Sequence, residues 1–238
     1  MIKSYCKINL FLRVLKKTHR DLHDIQTTAM LLDLHDKIRI KEIKKNKDEV
    51  LFTGLFKENI NNKTNSVINT LSLLRSQNFL NTSKKYQITI NKRIPVFAGL
   101  GGGTGNAVSI IKYFVKSKIS LKLIEKFENK IGSDLRLFFF NHTFQKTLKN
   151  VRSFKKKYNF HFLLVYPNVK SSTKIIFSKV KNFNKPLRVD PLKISSKKKY
   201  IKFLINETND LQKIVEKKHK KIKDVLNLIK FQKNCLFS

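Results

Sequence analysis

Five of the seven glycines in this 238-residue chain, Gly99, Gly101, Gly102, Gly103 and Gly105, fall within seven consecutive residues. In a chain so poor in glycine, such a cluster answers a local need. Glycine adopts positive φ readily and lets another group come close to the main chain. The cluster stands after an apolar alternation ending near Ile90 and before a helical pattern opening near Thr104. In that pattern Ala107, Ile110, Ile111, Phe114 and Val115 recur as a buried stripe. Main-chain N–H groups and the positive end of a helix would converge there, which is the chemistry of a phosphate cradle. A hinge or tight turn needs one or two glycines and no amphipathic helix behind it. Two common phosphate motifs are not met. Asn106 follows Gly105 where GxxxxGK[ST] requires Lys. No acidic residue follows in the strand context that a dinucleotide-binding GxGxxG requires.

The elements that must position this loop can be read from periodicity. Alternation predicts strands over 2–15, 37–43, 50–52 and 86–90, and a buried strand over 160–166. Helical spacing predicts helices over 65–79, from about Thr104 onward, over 121–131 and over 172–180, with one or two more across 211–229. Residues 92–103 form the loop, and 135–140 are almost wholly apolar and belong in a core. The basic, periodicity-poor stretch 146–158 reads as a connection between lobes, and 183–191, with two of the four prolines, as a loop. Strands and helices mix without regular βαβ alternation, so the expected class is α+β, with lobes at 1–150 and 151–238.

Composition bounds the function. The net charge of +35 suggests polyanions, but eight arginines stand against 43 lysines spread along every segment. Base-reading and phosphate-clamping surfaces favour the bidentate arginine fork. An overall compositional bias explains the lysines better, and no specific nucleic-acid partner is expected. No apolar run approaches the length of a membrane span, and residues 1–14 lack a secretory signal. Cys6 and Cys235 suggest neither a zinc site nor a disulfide framework, so a cytoplasmic setting and no membrane partner are expected.

The loop from Pro95 through Val96, Phe97, Ala98, Gly99, Leu100, Gly101, Gly102, Gly103, Thr104 and Gly105 to Ala107 resembles the P-x-x-x-G-L-G-G-G-S-S-x-A motif of the GHMP kinase superfamily. Within it, residues 5–14, His23 through Asp36, Gly132-Ser133-Asp134, the segment from Tyr166 to Lys174 and Asn209-Asp210-Leu211 resemble, in order, landmarks of the diphosphocytidyl-methylerythritol kinases. The resemblance spans nearly the whole chain. It implies a two-lobe fold, with an N-terminal lobe like ribosomal protein S5 and an incomplete ferredoxin-like C-terminal lobe. It implies transfer of the ATP γ-phosphate to the 2-hydroxyl of a cytidylated methylerythritol, a step of non-mevalonate isoprenoid synthesis. Asp134 and Lys7 would be catalytic: Asp134 would position the hydroxyl, and Lys7 would stabilise charge on the transferred group. Asn9 would hydrogen-bond the alcohol, His23 would read the cytosine edge and Phe177 would stack on its face. Asn65 would lie on the ATP-base side. Thr104 could offer a hydroxyl to phosphate or Mg²⁺, which the resemblance implies without a dedicated protein site.

The chain departs from the family pattern at several points. Asp21-Leu22-His23 replaces Gly-Tyr-His, Gly105 replaces the second loop serine, and Leu135-Arg136 follows Asp134 where Val-Pro is usual. No G-R-G-E-like segment is visible in 146–154. The sequence ends at Asn234-Cys235-Leu236-Phe237-Ser238, where the family continues into a further glycine-rich unit. Low stability and weakened turnover are the expectations from this. Rival readings are a superfamily kinase for another small alcohol, a nucleotide binder without catalysis, and a basic nucleic-acid-binding protein.

Overall fold

The computed structural model describes residues 1–18, 22–58, 60–156 and 158–232. Asp21 and the stretch 233–238, with Cys235, lie outside the described residues. The architecture is α+β. Two long strands, β1 (Ile2–Lys17) and β2 (His23–Ile43), pair with each other. The sheet continues in the order β3 (Glu49–Thr53), β4 (Lys85–Asn91), β2, β5 (His142–Gln145), β6 (Val151–Ser153). The packing resolves into two compact units, each taking part of β1 and part of β2. They are interleaved in sequence, whereas the lobes expected at 1–150 and 151–238 are continuous.

The first unit comprises Met1–Lys7, Leu31–Val96 and Leu100–Phe140. In it β2 runs antiparallel to β4, with Ile38 opposite Ile90, and β3 runs parallel to β4, with Val50 opposite Ile88. Alternation places these isoleucines on one face. Against them pack α1 (Ser66–Ser76), α2 (Gly102–Val115) and α3 (Leu121–Ile131). Val67, Leu71 and Leu74 come from α1, Val108 and Ile111 from α2, and Leu123 and Phe127 from α3. Each such side chain, once buried, stabilises the fold by about 1.5–3 kcal/mol. Asn65 caps α1, accepting from Val67 N (3.0 Å) and Ile68 N (3.1 Å). Ser120 caps α3 through Leu123 N at 3.2 Å. The apolar run after Asp134 forms a 3-10 helix, Leu135–Phe139, with Leu135 and Phe138 in the core as expected.

The second unit comprises Ile8–Met30, Phe97–Gly99 and the described residues from Asn141 onward. Its core gathers around Tyr200 of α5 (Lys197–Ile205), with Leu10, Phe11, Phe144 and Leu204. Tyr200 Oη donates to Thr28 Oγ1 and pairs with His142 Nε2, both at 3.0 Å. The His142 ring stacks on Phe154, with centroids 3.7 Å apart. A second cluster joins Leu12, Val14 and Ile25 to Phe177 of α4 (Thr173–Phe177) and Leu211. Arg13 grips Glu207 through two bonds of 2.6 and 2.8 Å. Asp210 accepts from Val14 N and from Asn184 Nδ2, both at 2.7 Å. The helical region expected over 211–229 is two helices, α6 (Gln212–Lys218) and α7 (Lys220–Lys230).

Two expectations about elements are corrected, and one helix is added. Residues 160–166 do not form a strand. Phe160 and Phe162 enter the Tyr200 cluster, while Leu163 is 80% exposed and Leu164 and Val165 also face outward. An apolar run signals burial, whereas a strand also needs an adjoining edge to pair with. The stretch 146–158 contains β6, paired antiparallel to β5, so it is not a bare connection. Helix α5 was not anticipated, because its lysines mask a stripe consisting only of Tyr200 and Leu204.

Candidate active site

From Gly101 to Gly105, in the first unit, the glycine segment is built by close packing as much as by flexibility. Gly101, at the start of α2, has φ +66°, and α2 has no side-chain cap there. Its first N–H groups are therefore open to an anion. A β-carbon placed on Gly101 would fall 2.5 Å from Phe138 Cζ and 3.5 Å from Lys7 Cγ. Positive φ is also found at Phe97 (+59°) and Gly99 (+75°). Only Gly99 of the cluster opens onto empty space. The bulky Phe97 rarely adopts that conformation. Its carbonyl is held by Ser171 N–H at 3.0 Å within the second unit. Pro95 and Val96 are half-buried, as are Ala98 and Leu100.

Lys7 and Asp134 meet. Lys7 Nζ lies 2.9 Å from Asp134 Oδ2, with side-chain exposures of 5% and 38%. Strand β1 delivers Lys7 to the loop, since Lys7 N–H donates to Leu100 O at 3.0 Å. Asp134 is delivered by the turn after α3, where Gly132 has φ +151°. A β-carbon on Gly132 would fall 4.0 Å from Thr104 Oγ1, so the Thr104 hydroxyl stands beside the same turn. The loop from Gly101 to Gly105, the ammonium, the carboxylate and the hydroxyl thus converge in one unit. A buried ammonium against a carboxylate that solvent can reach suits a charged phosphoryl group and an incoming alcohol.

The departure at Gly105 has a steric cause. A β-carbon there would fall 2.8 Å from Tyr5 O, 3.2 Å from Phe138 Cε1 and 3.3 Å from Ser4 Oγ. Helix α2 lies against the β1 main chain too closely for a serine. Arg136, in the place of the family proline, donates from Nε to Glu128 Oε1 at 2.7 Å.

Several residues around the loop were given no role by the sequence, although Asp36 closes one of the segments that resemble the family. Asp36, fully buried, pairs with Lys92 Nζ and accepts Arg93 N (2.7 Å) and Ile94 N (2.9 Å). Lys92 Nζ and Ile94 in turn flank Gly102, at 3.3 and 3.1 Å from where its β-carbon would be. Ser66 Oγ donates to Gly103 O at 2.9 Å. Only its place next to the α1 cap could have suggested Ser66. The Asn65 side chain is committed to that cap and donates to Asn61 O at 3.0 Å.

In the second unit His23, 8% exposed, and Phe177 are brought together, with ring centroids 5.3 Å apart at 33°. Phe183 adds a third ring at 6.4 Å from His23, unremarked among 19 phenylalanines. Asn9 is half-buried on β1, two residues after Lys7. Leu22 is 43% exposed beside His23.

Among the described residues, no group of three or more His, Cys, Asp and Glu side chains gathers as a cation site. The Asp134 carboxylate and Thr104 hydroxyl nevertheless fit Mg²⁺, which takes few protein oxygens and completes its shell with phosphate and water. No helix among the described residues is long and apolar enough to cross a membrane.

Comparison with known proteins gives a consistent result. Residues 65–135 match the family described as GHMP kinases N terminal domain. The chain is 38% identical to a 4-diphosphocytidyl-2-C-methyl-D-erythritol kinase of Pelagibacter ubique, over 99% of this chain and 83% of that protein. It is 32% identical to the protein of the same name from Buchnera aphidicola subsp. Schizaphis graminum, over 95% and 77%. In three dimensions it resembles a 4-(cytidine 5'-diphospho)-2C-methyl-D-erythritol kinase crystal structure, with TM-score 0.62 and 17% identity, over 96% of this chain and 81% of that one. A mevalonate kinase structure aligns with TM-score 0.51 and 15% identity, over 94% and 79%. At these identities the structural likenesses speak for the fold alone.

Proposed function

The chain belongs to the 4-diphosphocytidyl-2-C-methyl-D-erythritol kinase family of GHMP kinases, and from that premise we propose that it phosphorylates the 2-hydroxyl of 4-diphosphocytidyl-2-C-methyl-D-erythritol with ATP, in non-mevalonate isoprenoid synthesis. The single observation that carries this reading is the Lys7–Asp134 contact of 2.9 Å, on a lysine whose own main chain and side chain both abut the glycine loop. The relatives' names favour this substrate over a homoserine, mevalonate or sugar alcohol, and a kinase over a silent nucleotide binder or a nucleic-acid-binding protein.

The geometry supports the following course for the reaction. ATP phosphates rest on the loop from Pro95 to Gly105, drawn by the open N–H groups of α2. Asp134 takes the proton of the 2-hydroxyl as its oxygen bonds to the γ-phosphorus, and the bond to the β,γ-bridging oxygen breaks to leave ADP. Lys7 stabilises the negative charge on the phosphoryl oxygens from a buried position, where the effect is stronger than in water. Mg²⁺, when bound with ATP, would be held mainly by the phosphates with Asp134 and Thr104 as the protein oxygens within reach, and would supply charge neutralisation. Asn65 serves the nucleotide by placing α1 and not through its committed carboxamide. Asn9 is assigned to a substrate hydroxyl, His23 to the cytosine edge and Phe177 to its face. The continuous lobes 1–150 and 151–238 and a cytoplasmic location complete the reading.

The test is a coupled ADP assay on the purified chain with the cytidylated alcohol, with the product examined by phosphorus NMR. ATP- and substrate-dependent ADP release with a new phosphomonoester on the 2-oxygen is expected. ADP release that ignores the alcohol, or that persists in Asp134→Asn, would sink the reading.

A further inference from the structure

We infer that Arg136 is a positioning residue for Asp134, acting through an ion-paired clamp onto α3; the inference rests on the reaction assigned above. Gly132 N–H donates to Glu128 O at 3.0 Å as α3 ends, and its φ of +151° turns the chain away. Leu135 N–H then donates to Gly132 O at 3.2 Å, and Leu137 N–H to Asp134 O at 3.0 Å. These bonds define a tight turn with Asp134 at its centre. Arg136 closes that turn back onto the helix. Its Nε donates to Glu128 Oε1 at 2.7 Å, and an Nη lies 3.6 Å from Glu125 Oε1. The side chains of Arg136 and Glu128 are only 10% and 14% exposed, so the pair is far less screened than a surface bridge.

The other end of the 3-10 helix is also tied. Lys112 of α2 donates to Phe138 O at 3.0 Å and to Phe139 O at 3.4 Å. Phe138 in turn packs where side chains at Gly101 and Gly105 would stand. One short helix therefore links the phosphate loop to the carboxylate, and Arg136 sets its orientation against α3. Where the family pattern continues with Val-Pro, a proline ring would stiffen the turn through its φ. This chain has Leu135-Arg136 and stiffens the same turn through a side chain. A carboxylate that must meet an alcohol at bonding distance gains from this, because a displacement of about 1 Å can lower a rate on the order of a hundredfold.

The experiment compares the wild type, Arg136→Gln and the charge-swapped Glu128→Arg/Arg136→Glu by steady-state kinetics, thermal melts and amide hydrogen exchange. Arg136→Gln is expected to lower kcat about tenfold, to leave KM for ATP within about twofold, and to speed exchange of the 129–137 amides about tenfold. The swapped pair is expected to recover part of both losses, since Glu125 then faces a like charge at position 136. Unchanged exchange over 129–137 in a folded Arg136→Gln protein would overturn the clamp. A kcat that falls only with the folded fraction, without recovery in the swapped pair, would overturn the positioning role. If the wild type itself transfers no phosphate to the cytidylated alcohol, the reaction assignment fails on its own, and the exchange pattern still decides the clamp.

Discussion

The ammonium of Lys7 lies 2.9 Å from the carboxylate of Asp134, the first almost fully buried and the second open to solvent. One comes from a strand and the other from a turn far along the chain, and they meet beside Gly101. Asp134→Asn keeps an acceptor for Lys7 but cannot take the alcohol proton. We predict a fall in kcat of about 10²–10⁴-fold, with stability lowered by about 1–3 kcal/mol because the buried Lys7 keeps an acceptor but loses its counter-charge. Lys7→Met is predicted to lower kcat by about 10²–10³-fold through lost charge stabilisation. Steady-state kinetics with parallel melts check both.

Gly105 stands where the family pattern has serine, and restoring serine would look like a repair. The Tyr5 carbonyl and Phe138 ring already occupy that space. Gly105→Ser is therefore predicted to destabilise the fold by about 1–3 kcal/mol through overpacking. A urea melt with an unshifted midpoint would contradict this.

Asp36 and Lys92 form a buried pair beneath the loop, and Asp36 also holds two main-chain N–H groups. Asp36→Ala leaves the Lys92 charge buried without its partner, which costs about 3–5 kcal/mol. Asp36→Asn/Lys92→Met keeps an acceptor and removes the stranded charge, so it should recover more than half of that loss. Equal denaturation midpoints for the two variants would refute the argument.

His142 sits among Phe154, Tyr158 and Tyr200, and burial pushes its pKa down to about 4. The fold therefore favours the neutral ring. Its contribution is fully present above about pH 6.5 and is lost as pH falls towards about 4, by roughly 3 kcal/mol in total. Urea melts between pH 7 and pH 4 should show a smaller loss for His142→Phe than for the wild type. Parallel pH profiles would count against it.

The phosphate loop was legible because glycine scarcity makes its clustering informative, and because α2 announces itself by a clean helical stripe. The strands through Ile38, Ile88 and Ile90 were legible for the same reason, since alternation is a local property of the chain. Which charges matter was beyond local pattern. By local pattern Lys7 and Lys92 look like any of 43 lysines, and burial separates them; Lys7 was singled out only by the family resemblance, and the exposed Lys112 is set apart only by its bonds to Phe138 O and Phe139 O. Gly105 reads as a missing hydroxyl until the Tyr5 carbonyl is seen against it. Arg136 reads as a lost proline until Glu128 is seen within hydrogen-bond reach. Residues 160–166 carry the composition of a strand without the neighbouring edge that would make them one. Local sequence determines the conformation each segment favours and which faces are apolar. Tertiary structure decides which polar groups leave water together, and that choice sets the chemistry of a buried ammonium beside a reachable carboxylate.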